Sequence, residues 1–225
     1  MTAFDLPGHG ESGAWDAAQD YQTQCLTVAE ALTSGQATDL IGHSFGATVA
    51  LRLAVEQPHL VRRLVLIEPV FFAAAGAEDQ VAFDHYIAQA KPFADAFADG
   101  DRVEATRRFN AIWGATPNLD CLNADQRSYM IDRIHLIVAT EGALIEDNAG
   151  LLSGDRLGRS VTCPMLLLQG DQSPPIIDVI HRSLARRIPQ AKRVTILDAG
   201  HMSPVTHHRQ VGVAINAFLS NAHSA

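Results

Sequence analysis

The chain has 225 residues, 47% of them hydrophobic and 19% charged. That is too apolar and too weakly charged for a disordered segment, and long enough for one domain with a core, or one domain carrying an insertion. Seventeen basic against 25 acidic residues give a formal charge of −8, which argues against the basic face that a nucleic-acid binder needs.

The elements follow in chain order. Residues 2–5 form a short strand candidate ending in a Pro-Gly turn. Residues 16–34 look helical, with Leu26, Ala29 and Leu32 among polar residues. Asp39-Leu40-Ile41-Gly42 reads as a buried strand ending at a glycine. Val49, Ala50, Leu53 and Ala54 have helical spacing, so a helix is expected over 45–57, with Pro58 as its stop. Leu64-Val65-Leu66-Ile67 is a continuous apolar run, as a parallel strand covered on both faces requires. After Pro69 the pattern changes: 78–148 is mostly helical, holds Trp113 and a helix candidate over Arg127–Thr140, and contains no good strand. Strand character returns at Met165–Leu168. A helix (Ile176–Ile188), a strand (Arg193–Leu197) and a last helix (Gln210–Ser220) follow. Strand–helix alternation at both ends predicts an α/β parallel sheet, and the helical middle predicts a lid inserted after one strand.

No run of 18 apolar residues predicts a membrane helix, and the first residues lack a signal-peptide pattern. Cys25, Cys121 and Cys163 are odd in number, widely spaced and form no C-x-x-C pair. Neither a disulfide framework nor a zinc or thioredoxin-like site is expected, and the reading is a reduced, cytoplasmic setting.

Gly42-His43-Ser44-Phe45-Gly46 fits G-x-S-x-G between a strand and a helix. The chain must turn sharply there to project the serine oxygen, which calls for small residues on both sides. The helix that follows aims its positive end and free N–H groups at the site, with the Phe45 N–H as an oxyanion donor. A serine hydroxyl needs a general base, and His201 in Ala199-Gly200-His201-Met202, just past the last strand, is the candidate. His207 and His208 fall at a helix start and read as solvated; this cluster lacks the spacing and carboxylate of a metal site.

With these motifs the chain resembles the α/β-hydrolase superfamily over nearly its whole length. Asp5–Ser12 resembles the segment after that fold's fourth strand, Gly42–Gly46 the nucleophile elbow, and Leu64–Pro69 the end of the sixth strand. Met165–Ser173 resembles the seventh strand with its acid loop, and Arg193–Met202 the eighth strand with the histidine loop. The resemblance implies a hydrolase core over 1–69 and 161–225 and a helical lid over 70–160. His9 reads as part of the turn rather than as a catalytic group.

Two features depart from the family pattern. The family's usual acid lies three residues after the glycine ending strand seven, where this chain has Ser173; Asp171 lies two residues earlier, in a loop altered by Pro174-Pro175. Some superfamily members, including a subgroup of haloalkane dehalogenases, instead carry a glutamate at the end of strand six, the place of Glu68. Glu68 is therefore preferred as the acid, with Asp171 its competitor. The second departure is at the start. The family begins with three strands that this sequence lacks, and the loop after the third supplies a second oxyanion N–H, so an N-terminally truncated hydrolase with a gap in its sheet is expected.

The expected function is a serine hydrolase of carboxylic esters or similar acyl substrates. Ser44 is the nucleophile, His201 the base and acid, Glu68 or Asp171 the orienting carboxylate, and Phe45 the oxyanion donor. This chemistry requires no metal or organic cofactor. Ser44 excludes halide displacement and disfavours epoxide hydrolysis, which need a carboxylate at the elbow; carbon–carbon bond hydrolysis stays open. A non-catalytic homologue that binds a ligand is the alternative from another class. Phe71, Phe72, Phe83, Tyr86, Phe93, Phe97, Phe109 and Trp113 make the middle segment aromatic, which favours a small apolar acyl or aromatic substrate. No nucleic-acid or membrane partner is expected, and net acidity gives no steering toward acidic substrates.

Overall fold

A computed structural model of the protein describes residues 1–116 and 118–221. Four parallel strands form one sheet in sequential order: β1 (Thr38–His43), β2 (Val61–Ile67), β3 (Met165–Gly170) and β4 (Ala191–Ile196). Leu64 and Leu66 of β2 and Met165 and Leu167 of β3 belong to the larger core cluster. The alternate residues Val65, Ile67, Leu166 and Leu168 belong to a second cluster with Ile196, Ala199 and Val211. This two-residue alternation between two buried faces accounts for the unbroken apolar runs of β2 and β3. The first face is covered by α1 (Tyr21–Leu32), α2 (Phe45–Glu56), the short α3 (Phe72–Gly76) and α9 (Ile176–Arg187), and the second by α11 (His208–Asn221), which follows the one-turn α10 (Ser203–Thr206).

Between β2 and β3 the described residues hold α3, α4 (Gln80–Ala98), α5 (Arg102–Trp113), α6 (Ala124–Val138), α7 (Glu141–Leu144) and α8 (Arg156–Ser160), and no strand. Their starts are set locally. Asp79 accepts a hydrogen bond from the Ala82 amide, Asp101 from the Glu104 amide, and Asn123 forms a capping box with Gln126. No helix among the described residues is long and apolar enough to cross a membrane.

Two sequence expectations are corrected. Residues 2–5 are not a strand. They are exposed and hydrogen-bond within their own turn: the Asp5 carboxylate accepts from the Glu11 amide at 3.0 Å, and the Gly8 amide donates to Gly13 O at 2.8 Å. A strand needs a neighbouring ladder, and none of the four strands runs beside them. The strand at Asp39–Gly42 is not buried either. Among the described residues β1 lies at the sheet edge and pairs with β2 alone, and Ile41 is 44% exposed.

His181 on α9 has no exposed surface, and neither ring nitrogen has a hydrogen-bond partner among the described residues. Burial first, and the charge of Arg193 second, lower its pKa to about 3. The ring is therefore neutral when folded, whereas in the unfolded chain it takes a proton below about pH 6.5. The folded pKa is the depressed one, so stability is full above about pH 6.5 and falls as pH drops towards the folded value. Replacing the ring with leucine removes two unsatisfied polar atoms and this proton linkage together. We predict that urea unfolding of the parent and of His181→Leu between pH 7 and pH 4 gives curves that diverge on acidification. The parent should lose up to about 1.4 kcal/mol per pH unit more than the variant. Parallel curves would contradict this assignment.

Candidate active site

Each side chain of the site leaves the carboxyl end of a parallel strand, the edge at which open α/β sheets present their binding groups. Ser44 follows β1, Glu68 follows β2, Asp171 and Ser173 follow β3, and His201 follows β4. The ladder hydrogen bonds continue past the strand ends. The Ser44 amide donates to Ile67 O at 2.9 Å, the Glu68 amide to Leu168 O at 2.9 Å, and the Asp171 amide to Ile196 O at 3.1 Å. Backbone pairing thus fixes the serine and the glutamate relative to the sheet before any side-chain contact is made.

Ser44 has φ 55° and ψ −123°, a left-handed conformation that non-glycine residues rarely adopt. Glu68 also has a positive φ, 47°. Such conformations cost on the order of 1–3 kcal/mol each and persist only where the surroundings hold them. At the Ser44 turn, a Cβ on Gly42 would lie 2.5 Å from Gly46 O and 2.6 Å from Ala47 Cα, so the helix start leaves no room for one. A Cβ on Gly46 would meet nothing within 4 Å beyond its own helix. The steric demand for a small residue therefore falls on one side of the serine only.

Glu68, His201 and Ser44 form a hydrogen-bonded chain. His201 Nε2 lies 2.9 Å from Ser44 Oγ, and His201 Nδ1 lies 2.7 Å from Glu68 Oε2. A carboxylate only accepts, so Nδ1 carries the proton, and the neutral ring's Nε2 accepts from the serine hydroxyl. Glu68 has no exposed surface, and its second oxygen accepts from the Gly170 amide at 2.7 Å and from the Ser173 hydroxyl. Burial pushes the Glu68 carboxyl up, but the hydrogen bond and charge of His201, with the Gly170 and Ser173 donors, outweigh it and hold the pKa below the usual carboxylate value. Asp171 is exposed and makes no hydrogen bond to His201, whose Nδ1 is occupied by Glu68. Phe45 is the first residue of α2, where a helix amide has no carbonyl one turn earlier to bond. His9 bonds locally, near Pro7 O and the Tyr21 hydroxyl, and His207 bonds with Thr206.

Three supporting contacts escaped the sequence reading. His43 Nε2 lies 2.9 Å from His201 O, and because a carbonyl only accepts, Nε2 is the protonated nitrogen. Burial, and then the neighbouring His201, lower its pKa to about 4, so the ring is neutral near pH 7. Ser173 hydrogen-bonds Glu68 from the slot where the family pattern has an aspartate. The Trp113 ring packs edge-on at 4.7 Å from the His201 ring. His43 and Ser173 lie within the motif segments, but no spacing signals a bond spanning 158 residues.

A cavity of about 550 Å³ opens from Ser44 and Phe45 and runs between the helices that follow β2, lined by Phe72, Tyr86 and Trp113 among other apolar residues. A second cavity of about 580 Å³ shares Phe109 and Trp113 with it and reaches Met202, next to His201.

A family model described as alpha/beta hydrolase fold matches residues 1–208. Over 222 residues the chain is 22% identical to an (E)-2-((N-methylformamido)methylene)succinate hydrolase of Acinetobacter baylyi, covering 97% of this chain and 80% of that protein. It is 26% identical over 224 residues to a pimeloyl-[acyl-carrier protein] methyl ester esterase of Neisseria meningitidis, covering 96% and 80%. Its fold is similar to that of 2-hydroxy-6-oxo-6-phenylhexa-2,4-dienoate hydrolase from Rhodococcus sp. strain RHA1, with a TM-score of 0.72 at 16% identity over 96% of this chain and 78% of that one.

The contrast between the two glycines can be measured. Gly42→Ala should lower stability by about 1–3 kcal/mol through overpacking. Gly46→Ala should leave stability unchanged or raise it, because alanine favours a helix by roughly 0.5–1 kcal/mol. Thermal unfolding of both variants checks this, and equal losses would contradict the one-sided constraint.

Proposed function

The chain belongs to the α/β-hydrolase fold family, and from that premise we propose that it is a serine hydrolase of carboxylic esters or related acyl compounds, acting through an acyl-enzyme. The observation that carries this reading is the unbroken chain from Ser44 Oγ through His201 to the buried Glu68, at 2.9 and 2.7 Å. Ser44 Oγ attacks the carbonyl as His201 Nε2 takes its proton. The imidazolium that forms is stabilised by the Glu68 carboxylate at Nδ1. Negative charge on the former carbonyl oxygen is received by the Phe45 N–H at the positive end of α2. His201 then gives its proton to the leaving group. In the second half it draws a proton from water, which cleaves the acyl-serine and restores the hydroxyl.

The helices between β2 and β3 act as a lid over the cavity, and the acyl group of a small, largely apolar substrate lies in it. That the family includes proteins named as an esterase and a hydrolase supports an ester or a comparable acyl substrate. Glu68 rather than Asp171 is the orienting acid, because it alone of the two meets His201.

A fluorophosphonate probe tests the reading. Stoichiometric labelling that maps to Ser44 and disappears in Ser44→Ala is the expected result. In ester turnover, Glu68→Gln should lower kcat by roughly 10³–10⁴-fold, as loss of the orienting carboxylate does in other triads, while Asp171→Asn stays near the parent. Absence of labelling on the folded chain would contradict the serine mechanism, and a loss confined to Asp171→Asn would reverse the choice of acid.

A further inference from the structure

The cavity beside Ser44 is apolar but not uniformly so. Asp84, Tyr86, Lys91, Thr140 and Glu141 also line it. Three of these five have their polar groups engaged elsewhere. Asp84 accepts from the Gln80 amide at 2.7 Å, Lys91 is paired with Asp95 at 2.6 Å, and the Thr140 hydroxyl donates to Ile137 O at 2.7 Å. Tyr86 and Glu141 differ. Among the described residues neither the Tyr86 hydroxyl nor the Glu141 carboxylate has a hydrogen-bond or ion-pair partner; Tyr86 is only 8% exposed, whereas Glu141 is exposed and stands where the cavity meets solvent.

Their position is set by the aromatic packing. The Tyr86 ring stacks on Phe72 at 4.2 Å and meets Trp113 edge-on at 6.2 Å, and Trp113 in turn contacts His201 at 4.7 Å. Tyr86 is thus fixed two ring contacts from the reacting end, within the length of a small aryl-alkyl acyl chain. Burial, and then the Glu141 charge, push the Tyr86 hydroxyl well above the usual tyrosine range, so it keeps its proton near pH 7. Burial and then Glu146 raise the Glu141 carboxyl itself. A ligand group that bonds the Tyr86 hydroxyl supplies the partner it lacks among the described residues.

We infer that Tyr86 and Glu141 form a subsite at the distal end of the acyl cavity that recognises a neutral hydrogen-bond donor, such as a phenolic or alcoholic hydroxyl, at the far end of an otherwise apolar substrate. The Glu141 carboxylate accepts from the ligand hydroxyl, and the Tyr86 hydroxyl donates to its oxygen. A ligand carboxylate is disfavoured, because it would set a second negative charge beside Glu141. This deepens the hydrolase reading by naming the substrate class, but ligand binding tests it without turnover. A site built to bond a substrate hydroxyl discriminates against the analogue lacking it far more strongly than an apolar wall discriminates by size.

The test uses two ketones that Ser44 cannot hydrolyse, 4-(4-hydroxyphenyl)butan-2-one and 4-phenylbutan-2-one, titrated calorimetrically into the full chain. The hydroxylated ketone should bind at least roughly tenfold tighter, about 1.4 kcal/mol. Tyr86→Phe and Glu141→Leu should each shrink that preference severalfold, and circular dichroism spectra matching the parent's show that the variants are folded. Equal affinities in the parent, failure of both ketones to bind, or a preference that survives in both variants would overturn the subsite. So would tighter binding of the analogue carrying a 4-carboxyl group. The methyl ester of 3-(4-hydroxyphenyl)propanoic acid is assayed alongside. A binding preference without hydrolysis of this ester supports the subsite and counts against the serine mechanism alone.

Discussion

A carboxylate removed from water is tolerated only where every oxygen finds donors, since an unpaired buried charge costs several kcal/mol. Glu68 meets that condition with three donors: His201 Nδ1 on one oxygen, and the amide of Gly170 at the end of β3 and the Ser173 hydroxyl on the other. The rest of the site depends on this group. It sets which nitrogen of His201 is protonated, and therefore which nitrogen faces Ser44. It also binds the loop after β3 to the end of β2. Loss of His201 would strip one oxygen of its donor, while loss of Ser173 or the Gly170 amide would leave the other oxygen with one donor instead of two.

The sheet makes this arrangement reproducible. Each strand passes its last hydrogen bond to the next strand's end, so the residues carrying the site sit at fixed heights along one edge. The positive φ of Ser44 and of Glu68 follows from this. Both residues turn out of a strand while their amides stay bonded to the neighbouring strand, and the two strained turns are held by the ladder and by the helix packed on Gly42. His43 adds a second tie, from the serine turn to the His201 carbonyl. Trp113 brings the inserted helices into the same assembly through its contact with the His201 ring. Cavity shape and site geometry are therefore not separable.

The parts of this fold legible in the sequence were those with a strong local signal. β2 and β3 read as buried because both their faces are covered, and the α2 start was marked by the strand–glycine–helix pattern. β1 misled for the same reason. Leu40 and Ile41 look like a buried pair, but whether a strand is central or at an edge depends on what lies beside it, which its own residues do not encode. Residues 2–5 have strand-like composition and no neighbouring ladder. At the site, Ser44 and His201, singled out by pattern, lie within hydrogen-bond reach of each other, and Glu68 reaches His201 from the other side. The choice between Glu68 and Asp171 rested on resemblance, since both are single acids after buried strands. The supporting roles of Ser173, His43 and Trp113 were hidden because each is a contact across more than 80 residues of chain. So were His181 and the Tyr86 hydroxyl, which are marked by having no hydrogen-bond partner among the described residues.

His201 holds a proton on Nδ1 in a short hydrogen bond to the buried Glu68 carboxylate, and every other feature of the site follows from that bond. Proton NMR of the imidazole N–H groups checks it. A far-downfield Nδ1–H resonance, protected from exchange with water, should persist in Asp171→Asn and be lost or moved upfield in Glu68→Gln. A downfield resonance unaffected by Glu68→Gln, or one abolished by Asp171→Asn, would contradict it.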